Sequence, residues 1–235
     1  MFSISNIIDS VFFVIVLTFS VIMHEVCHGY AAYLLGDNTA KYQKRLSFNP
    51  FDHINYKSAG LIVAGILVSY LLPVLKFLSN TLMFIGFFMI AKPVPINPNY
   101  FEDPKKGMAI TALMGPLSNF VFAFIAIFVF VALPDSRFMW DEYIFMLLFN
   151  IIFINVRLAV FNLIPIPPLD GSKVLYAFLP QRIYFYILQY ERYILIGLML
   201  LVFSGGFSAV INNGSNNVIK AMETAVRAIL GKGGF

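Results

Sequence analysis

The chain has 235 residues, of which 60% are hydrophobic and only 12% are charged, and its mean hydropathy is +0.82. Soluble domains average about 45–50% apolar and about 25% charged residues, so the apolar excess predicts a protein that faces lipid. The net charge of +4 does not indicate a nucleic-acid partner, because the basic residues are spread between apolar segments. The single cysteine, Cys27, excludes an intrachain disulfide.

Several apolar segments have the length of about 20 residues that a membrane-spanning helix needs. The stretch 61–91 is too long for one simple span and contains Pro73, so we expect two short helices or a re-entrant hairpin there. The other predicted spans are, in chain order, 7–35, 109–133, 143–164 and 193–210.

The connecting segments complete the predicted fold. Residues 92–106 contain four prolines, which favour extended or looped backbone. Residues 212–217 are predicted to form a polar turn, followed by a short amphipathic helix over 218–230. The sequence therefore predicts an all-α polytopic membrane protein with about five to six transmembrane helices, a hairpin or re-entrant segment and a Pro-rich cytoplasmic loop. We expect a single domain over 1–235, since there is no internal repeat and no linker.

The distribution of basic residues predicts the orientation in the membrane. No Lys or Arg precedes the first span, whereas the loop 36–57 that follows it carries four, namely Lys41, Lys44, Arg45 and Lys57. This loop and the lysine-containing, proline-rich loop should be cytoplasmic, with the amino terminus outside. Asp170, which follows the span ending at 164, should then reach the same side as the end of the first span.

The first span contains three ionisable residues in a pattern that indicates a metal site. His24 and His28 are four residues apart, so on a helix their imidazoles lie on one face about 6 Å apart along the axis. Glu25 is rotated by about 100°, close enough to deprotonate a water on the metal without being a ligand. This is the basis of the H-E-x-x-H zinc hydrolase motif. Burying such groups in an apolar span costs about 2.5–3.5 kcal/mol for a central charge, which favours a functional site over chance.

A catalytic zinc needs a third protein ligand. The candidates are His53, Asp170 and other carboxylates, and the residues leave the choice open. Asp170 follows a proline cluster and precedes Gly171, so it is either aimed rigidly into the bundle or part of an exposed turn. His53 lies in a predicted cytoplasmic loop, where it is a substitute ligand, a group that assists the site or an ordinary solvated histidine.

Five segments together resemble the site-2 protease family of intramembrane zinc metalloproteases. They are HEVCHG at 24–29, FNPFDH at 48–53, AKPVPIN at 91–97, GPLSN at 115–119 and NLIPIPPLDG at 162–171. The resemblance covers nearly the whole chain. It is closest to the compact bacterial or archaeal members that lack an inserted PDZ domain.

The resemblance implies a ligand set and a substrate. It implies that Asp170 is the third ligand of one zinc ion and that Glu25 is the general base. The substrates are then membrane-spanning segments of other proteins, and the enzyme resides in a prokaryotic cell membrane with its site near the cytoplasmic side. Asn162 and Asn119 match family positions that contact the substrate or support the site, although a helix–helix hydrogen bond is an equally good interpretation. The oligomeric state stays open.

Two other functions compete with proteolysis. A zinc-binding scaffold or sensor has no need of a base such as Glu25, and a metal transporter should have polar groups strung along several spans.

We also expect the segment 93–98 to offer an extended edge that pairs with an unwound substrate strand.

Overall fold

A computed structural model describes residues 4–53, 92–133 and 141–232, with isolated positions between 60 and 68. Within these residues the chain is helical and contains no strand, which confirms the all-α class. The predicted hairpin at 61–91 lies largely outside the described residues. The elements are α1 (Ile4–Leu34), α2 (Thr39–Tyr42), α3 (Pro50–His53), a 3-10 turn (Pro98–Tyr100), α4 (Pro104–Ala132), α5 (Asp141–Asn162), α6 (Asp170–Tyr176), α7 (Gln181–Gln189), α8 (Glu191–Phe203) and α9 (Ser208–Ile229).

Three of the described helices are long and apolar enough to cross a membrane, at Val11–Leu34, Pro104–Ala132 and Glu142–Asn162. They confirm three of the predicted spans and an integral membrane protein. The predicted span 193–210 is not one continuous helix. Helix α8 has 13 residues, or about 20 Å, which is shorter than the roughly 30 Å hydrocarbon core. A turn follows it, and Gly205 adopts a left-handed φ of 76° there.

Of the two predictions for the carboxyl-terminal region, the polar turn over 212–217 is wrong. Residues 212–217 are not a turn but lie inside α9. Packing overrides the poor helix propensity of asparagine, because Asn212 accepts a 2.6 Å hydrogen bond from Arg157 and Ser215 is buried. Further along, Val226 is fully buried against Ile127 of α4. The expected amphipathic helix therefore exists but begins about ten residues earlier.

Helix α4 forms the centre of the described bundle and packs against both α1 and α5. Its inward face carries small residues, which let the neighbouring backbones approach closely, as is usual between helices in lipid. These buried residues are Ala109, Ala112, Gly115, Ala123 and Ala126. Its outward face carries large apolar side chains that are 41–54% exposed and suit contact with lipid, namely Ile110, Leu113, Leu117, Val121 and Ile125.

The start of α4 is fixed by local chemistry. The Asp103 carboxylate accepts hydrogen bonds from the backbone N–H groups of Lys105 and Lys106, and Pro104 occupies the first helical position. The N–H group of Lys106, followed by that of Lys105, holds the pKa of Asp103 below its usual value. The Lys105 ammonium also donates to the carbonyl of Leu179, beyond α6. The register of α4 relative to α6 is thereby set.

Candidate metal centre

Two histidines of α1 and one aspartate of α6 meet inside the bundle. The Nε2 atoms of His24 and His28 lie 3.0 and 3.1 Å from Oδ2 of Asp170. All three residues are buried, with 5–6% of their surface exposed. Among the described residues, this is the group of histidine and carboxylate side chains that lies close enough to hold a metal ion. The sequence left the choice between Asp170 and His53 open, and the geometry brings Asp170 to the two histidines.

Asp170 reaches the bundle because the chain turns sharply after α5. The backbone N–H of Leu169 donates to the carbonyl of Ile166, and a cis peptide bond joins Pro167 to Pro168. Helix α6 then starts at Asp170. The turn requires Gly171, because a Cβ atom there would overlap the Leu163 carbonyl. The Pro-rich, Gly-terminated segment is thus a rigid return that points its aspartate inward.

The outer nitrogen of each histidine ring is held by α4. Nδ1 of His24 lies 2.6 Å from Oδ1 of Asn119, and Nδ1 of His28 lies 2.7 Å from the carbonyl oxygen of Thr111. Thr111, Gly115 and Asn119 are spaced by four residues and share the face of α4 that looks at α1. The carbonyl of Thr111 can only accept, so Nδ1 of His28 carries the proton.

The orientation of Asn119 fixes the tautomer of His24. The Nδ2 group of Asn119 donates to Oδ1 of Asn155 at 2.8 Å and to the carbonyl of Ser20 at 3.3 Å. Asn155 is oriented in turn, since its own Nδ2 donates to the carbonyl of Ile151. Oδ1 of Asn119 must therefore face His24 as an acceptor, and Nδ1 of His24 carries the proton. Both asparagines are fully buried.

These tautomers leave three acceptor atoms facing one another. With Nδ1 protonated in both rings, each Nε2 presents a lone pair towards the Asp170 carboxylate oxygen. Such an arrangement is repulsive unless a cation or additional protons lie between the atoms. For tetrahedral zinc with ligand bonds of about 2.0–2.1 Å, donor atoms lie about 3.3 Å apart, close to the observed separations. The donor set and its supports thus fit a zinc ion.

The second oxygen of Asp170 has its own partner. Lys173, one turn later in α6, donates from Nζ to Oδ1 at 3.0 Å, which leaves Oδ2 for the histidines. The nearby ammonium of Lys173 favours the ionised form of the carboxyl group.

Space for the imidazoles comes from a glycine. A Cβ atom on Gly115 would overlap the ring of His28 and lie 2.7 Å from Cε1 of His24. Pro116 follows directly inside α4, where its missing N–H leaves the Ala112 carbonyl without its usual helical donor. The Gly-Pro pair thus opens the face of α4 that receives both rings.

Glu25 lies beside the three-residue group but is not part of it. Its Oε2 atom accepts a 2.9 Å hydrogen bond from the backbone N–H of Val94, in the extended segment before α4. The carboxylate is thus held from the side of the proline-rich segment.

Of the remaining predicted site residues, Asn119 contacts the three-residue group, whereas His53 and Asn162 do not. Asn119 contacts a histidine of the group, as described above. His53 is outside the group: its Nε2 donates to the carbonyl of Ser47 at 2.6 Å, and its carbonyl accepts from Lys92. Asn162 donates to the carbonyl of Leu158 in its own helix, rather than to another helix.

Sequence reasoning missed four groups that support the site. The Thr111 carbonyl and the Val94 N–H are backbone groups, and the residue type does not indicate that they contact the site. Asn155 lies within an apolar span, and its residue type does not indicate which neighbour it contacts. The signal for Lys173 was its position one turn after Asp170, which places an ammonium near a carboxylate on a helix.

Comparison with known proteins identifies relatives. The profile of Peptidase family M50 matches residues 137–204, which include Asp170 but not the two histidines. Two curated relatives carry the name "Putative zinc metalloprotease". YwhC of Bacillus subtilis is 29% identical over 233 residues, covering 93% of this chain and 94% of the relative. MJ0611 of Methanocaldococcus jannaschii is 38% identical over 95 residues, covering 40% of this chain and 46% of the relative. No solved structure matches significantly.

Replacing Gly115 by alanine tests the space for the histidine rings. We expect Gly115→Ala to lose most of its bound zinc, because the new Cβ would overlap His28. The control is Gly197→Ala, where an added Cβ meets nothing within 4 Å, and this variant should bind zinc like the wild type. The measurement is zinc per chain by elemental analysis after equilibration at graded free zinc. Wild-type zinc binding by Gly115→Ala would contradict the assigned geometry.

Replacing Asn119 tests the support of His24. Loss of such an outer partner typically weakens metal binding about 10–100-fold, and we expect a decrease of this size for Asn119→Ala. Asn162→Ala is the matched control, because its amide bonds within its own helix and should not affect zinc affinity. Competition with a chelator measures both affinities. Equal affinities in the two variants would show that Asn119 does not orient His24.

Proposed function

We propose that this chain, which resembles peptidase family M50 over residues 137–204, hydrolyses peptide bonds within or near the transmembrane segments of other proteins with the help of one zinc ion. The observation that carries this proposal is the buried group of His24, His28 and Asp170 with Glu25 beside it. The match to the family M50 profile and the similarity to a putative zinc metalloprotease support a metalloprotease. The substrate class and the catalytic roles are our inference.

The depth of the group along α1 supports an intramembrane substrate. His24 lies about 20 Å along the helix from Val11, where the candidate span begins, and about 15 Å from its end at Leu34. The hydrocarbon core is about 30 Å thick, so the group falls within it. A scissile bond must reach this depth, and a substrate segment that is itself in the membrane does so directly.

His24, His28 and Asp170 would hold the zinc ion. When bound, zinc polarises the scissile carbonyl and lowers the pKa of water. Glu25 takes a proton from the attacking water while the water oxygen bonds to the carbonyl carbon. The carbon–nitrogen bond then breaks, and Glu25 delivers the proton to the leaving amine. Asn162, with its amide nitrogen engaged by Leu158, offers Oδ1 to a backbone N–H of the substrate.

The charge pattern supports a site near the cytoplasmic face of a prokaryotic cell membrane. The basic residues Lys41, Lys44 and Arg45 follow α1 directly, at the end of the helix that carries the histidines. Both named relatives come from prokaryotes. The partners are then the lipid bilayer and membrane-protein substrates, with no role for nucleic acid.

The proposal is tested with Glu25→Gln. We expect this variant to keep its zinc and lose cleavage by a factor of about 100 or more, because the amide cannot accept the proton. Membrane-protein fragments are compared by proteomics in cells that carry wild-type enzyme or the variant. Glu142→Gln, the same change at an exposed position at the start of α5, is the control and should produce wild-type fragments.

The same variant separates the competing functions. A zinc-binding scaffold, a sensor or a metal transporter does not need the base and should retain its activity in Glu25→Gln. If no fragment distinguishes wild type from variant, the assignment as a protease of membrane segments is wrong.

A further inference from the structure

Residues 92–97, here called the strap, run extended between α3 and the 3-10 turn and are fastened to α1 and the loop after it. Three of its backbone N–H groups have acceptors there. Lys92 donates to the carbonyl of His53 at 2.8 Å, Val94 to Oε2 of Glu25 at 2.9 Å, and Asn97 to Oδ2 of Asp37 at 2.6 Å. The middle bond therefore ends on the carboxylate that we propose as general base.

The two ends of the strap are anchored by buried charges. The Arg45 guanidinium donates to the carbonyls of Lys92 and Pro93 and is only 6% exposed. Asp37 is fully buried and also accepts from the N–H and hydroxyl of Thr39. Removing these groups from water is costly unless they are paired, so the strap supplies bonds that both charges need.

A glycine on α1 sets the register of the strap. Gly29 lies one turn after Glu25, and a Cβ atom there would be 2.7 Å from Cγ1 of Val94. The Val94 side chain thus fits into a notch on α1 and is 6% exposed. A shift of the strap by one residue would bring a proline against this notch and remove the N–H from Glu25.

The prolines limit what else the strap can do. Pro93 and Pro95 have no N–H, and in extended backbone they face the side opposite to Val94. On that side the strap offers carbonyl acceptors, but Pro93 and Pro95 provide no N–H donors. Pairing with a substrate strand requires both N–H donors and carbonyl acceptors. The strap is therefore a poor template for the β-pairing that the sequence suggested, and the donor between its two prolines, the N–H of Val94, is directed at Glu25.

We propose that the Val94 N–H is a positioning group for Glu25. It fixes Oε2 and so leaves Oε1 to exchange the proton with water and the leaving amine. The glutamate side chain has several rotatable bonds, and a fixed partner removes conformations in which the carboxylate points away from the metal centre. This assignment rests on the proposed function of Glu25.

Deleting the single N–H group tests the assignment. Val94→Pro removes the donor while keeping extended backbone, and we expect kcat to fall by about 100-fold with KM and zinc content little changed. Ile96→Pro removes an N–H for which the described residues show no acceptor and should leave kcat unchanged. Val94→Ala retains the N–H and should recover most of the activity lost in Val94→Pro. Equal kcat in Val94→Pro and Ile96→Pro would overturn the proposal.

A measurement without activity keeps the proposal testable if Val94→Pro does not fold. In zinc-free protein, hydrogen exchange of the Val94 amide should be slow in wild type and in Glu25→Gln, which keeps an acceptor oxygen. In Glu25→Ala it should be at least about 10-fold faster. Unchanged exchange in Glu25→Ala would overturn the positioning role. Absence of cleavage by wild type with intact exchange protection would instead refute the proposed function and leave the strap contact in place.

Discussion

The described structure depends on one electrostatic constraint, namely three buried acceptor atoms that face one another. Nε2 of His24 and Nε2 of His28 each lie about 3 Å from Oδ2 of Asp170, and the hydrogen bonds at Nδ1 of each ring keep protons off Nε2. Without positive charge between them these atoms repel. The fold therefore favours binding of a cation at the place where α1, α4 and α6 meet.

The bundle supplies hydrogen-bond partners to both histidine rings and to the side-chain amides of Asn119 and Asn155 near this point. Unsatisfied polar groups are costly in a membrane, where water does not compete. The relay from His24 through Asn119 and Asn155 ends on a backbone carbonyl of α5, so three spanning helices share the support of one ligand. Small residues on α4 bring the helices close enough for these bonds to form.

The sequence predicts the parts of the site that depend on local spacing. His24 and His28 share a helix face whatever the tertiary structure, and Glu25 follows from the same geometry. Asp170 was one of several candidates from the residues alone, because its approach depends on a turn whose direction the sequence does not determine. The contacts of Thr111 and Val94 use backbone atoms and were not predictable. The helical state of residues 212–217 was missed because tertiary packing outweighs local propensity there.

The zinc-coordination claim is tested most directly by X-ray absorption spectroscopy of the zinc-loaded wild-type protein. We expect two imidazole nitrogens at about 2.0–2.1 Å and oxygen ligands at about 2.0–2.2 Å in a four-coordinate environment. A sulfur ligand at about 2.3 Å, from the single cysteine Cys27, would contradict the assignment of His24, His28 and Asp170. The absence of two imidazole ligands would contradict it as well.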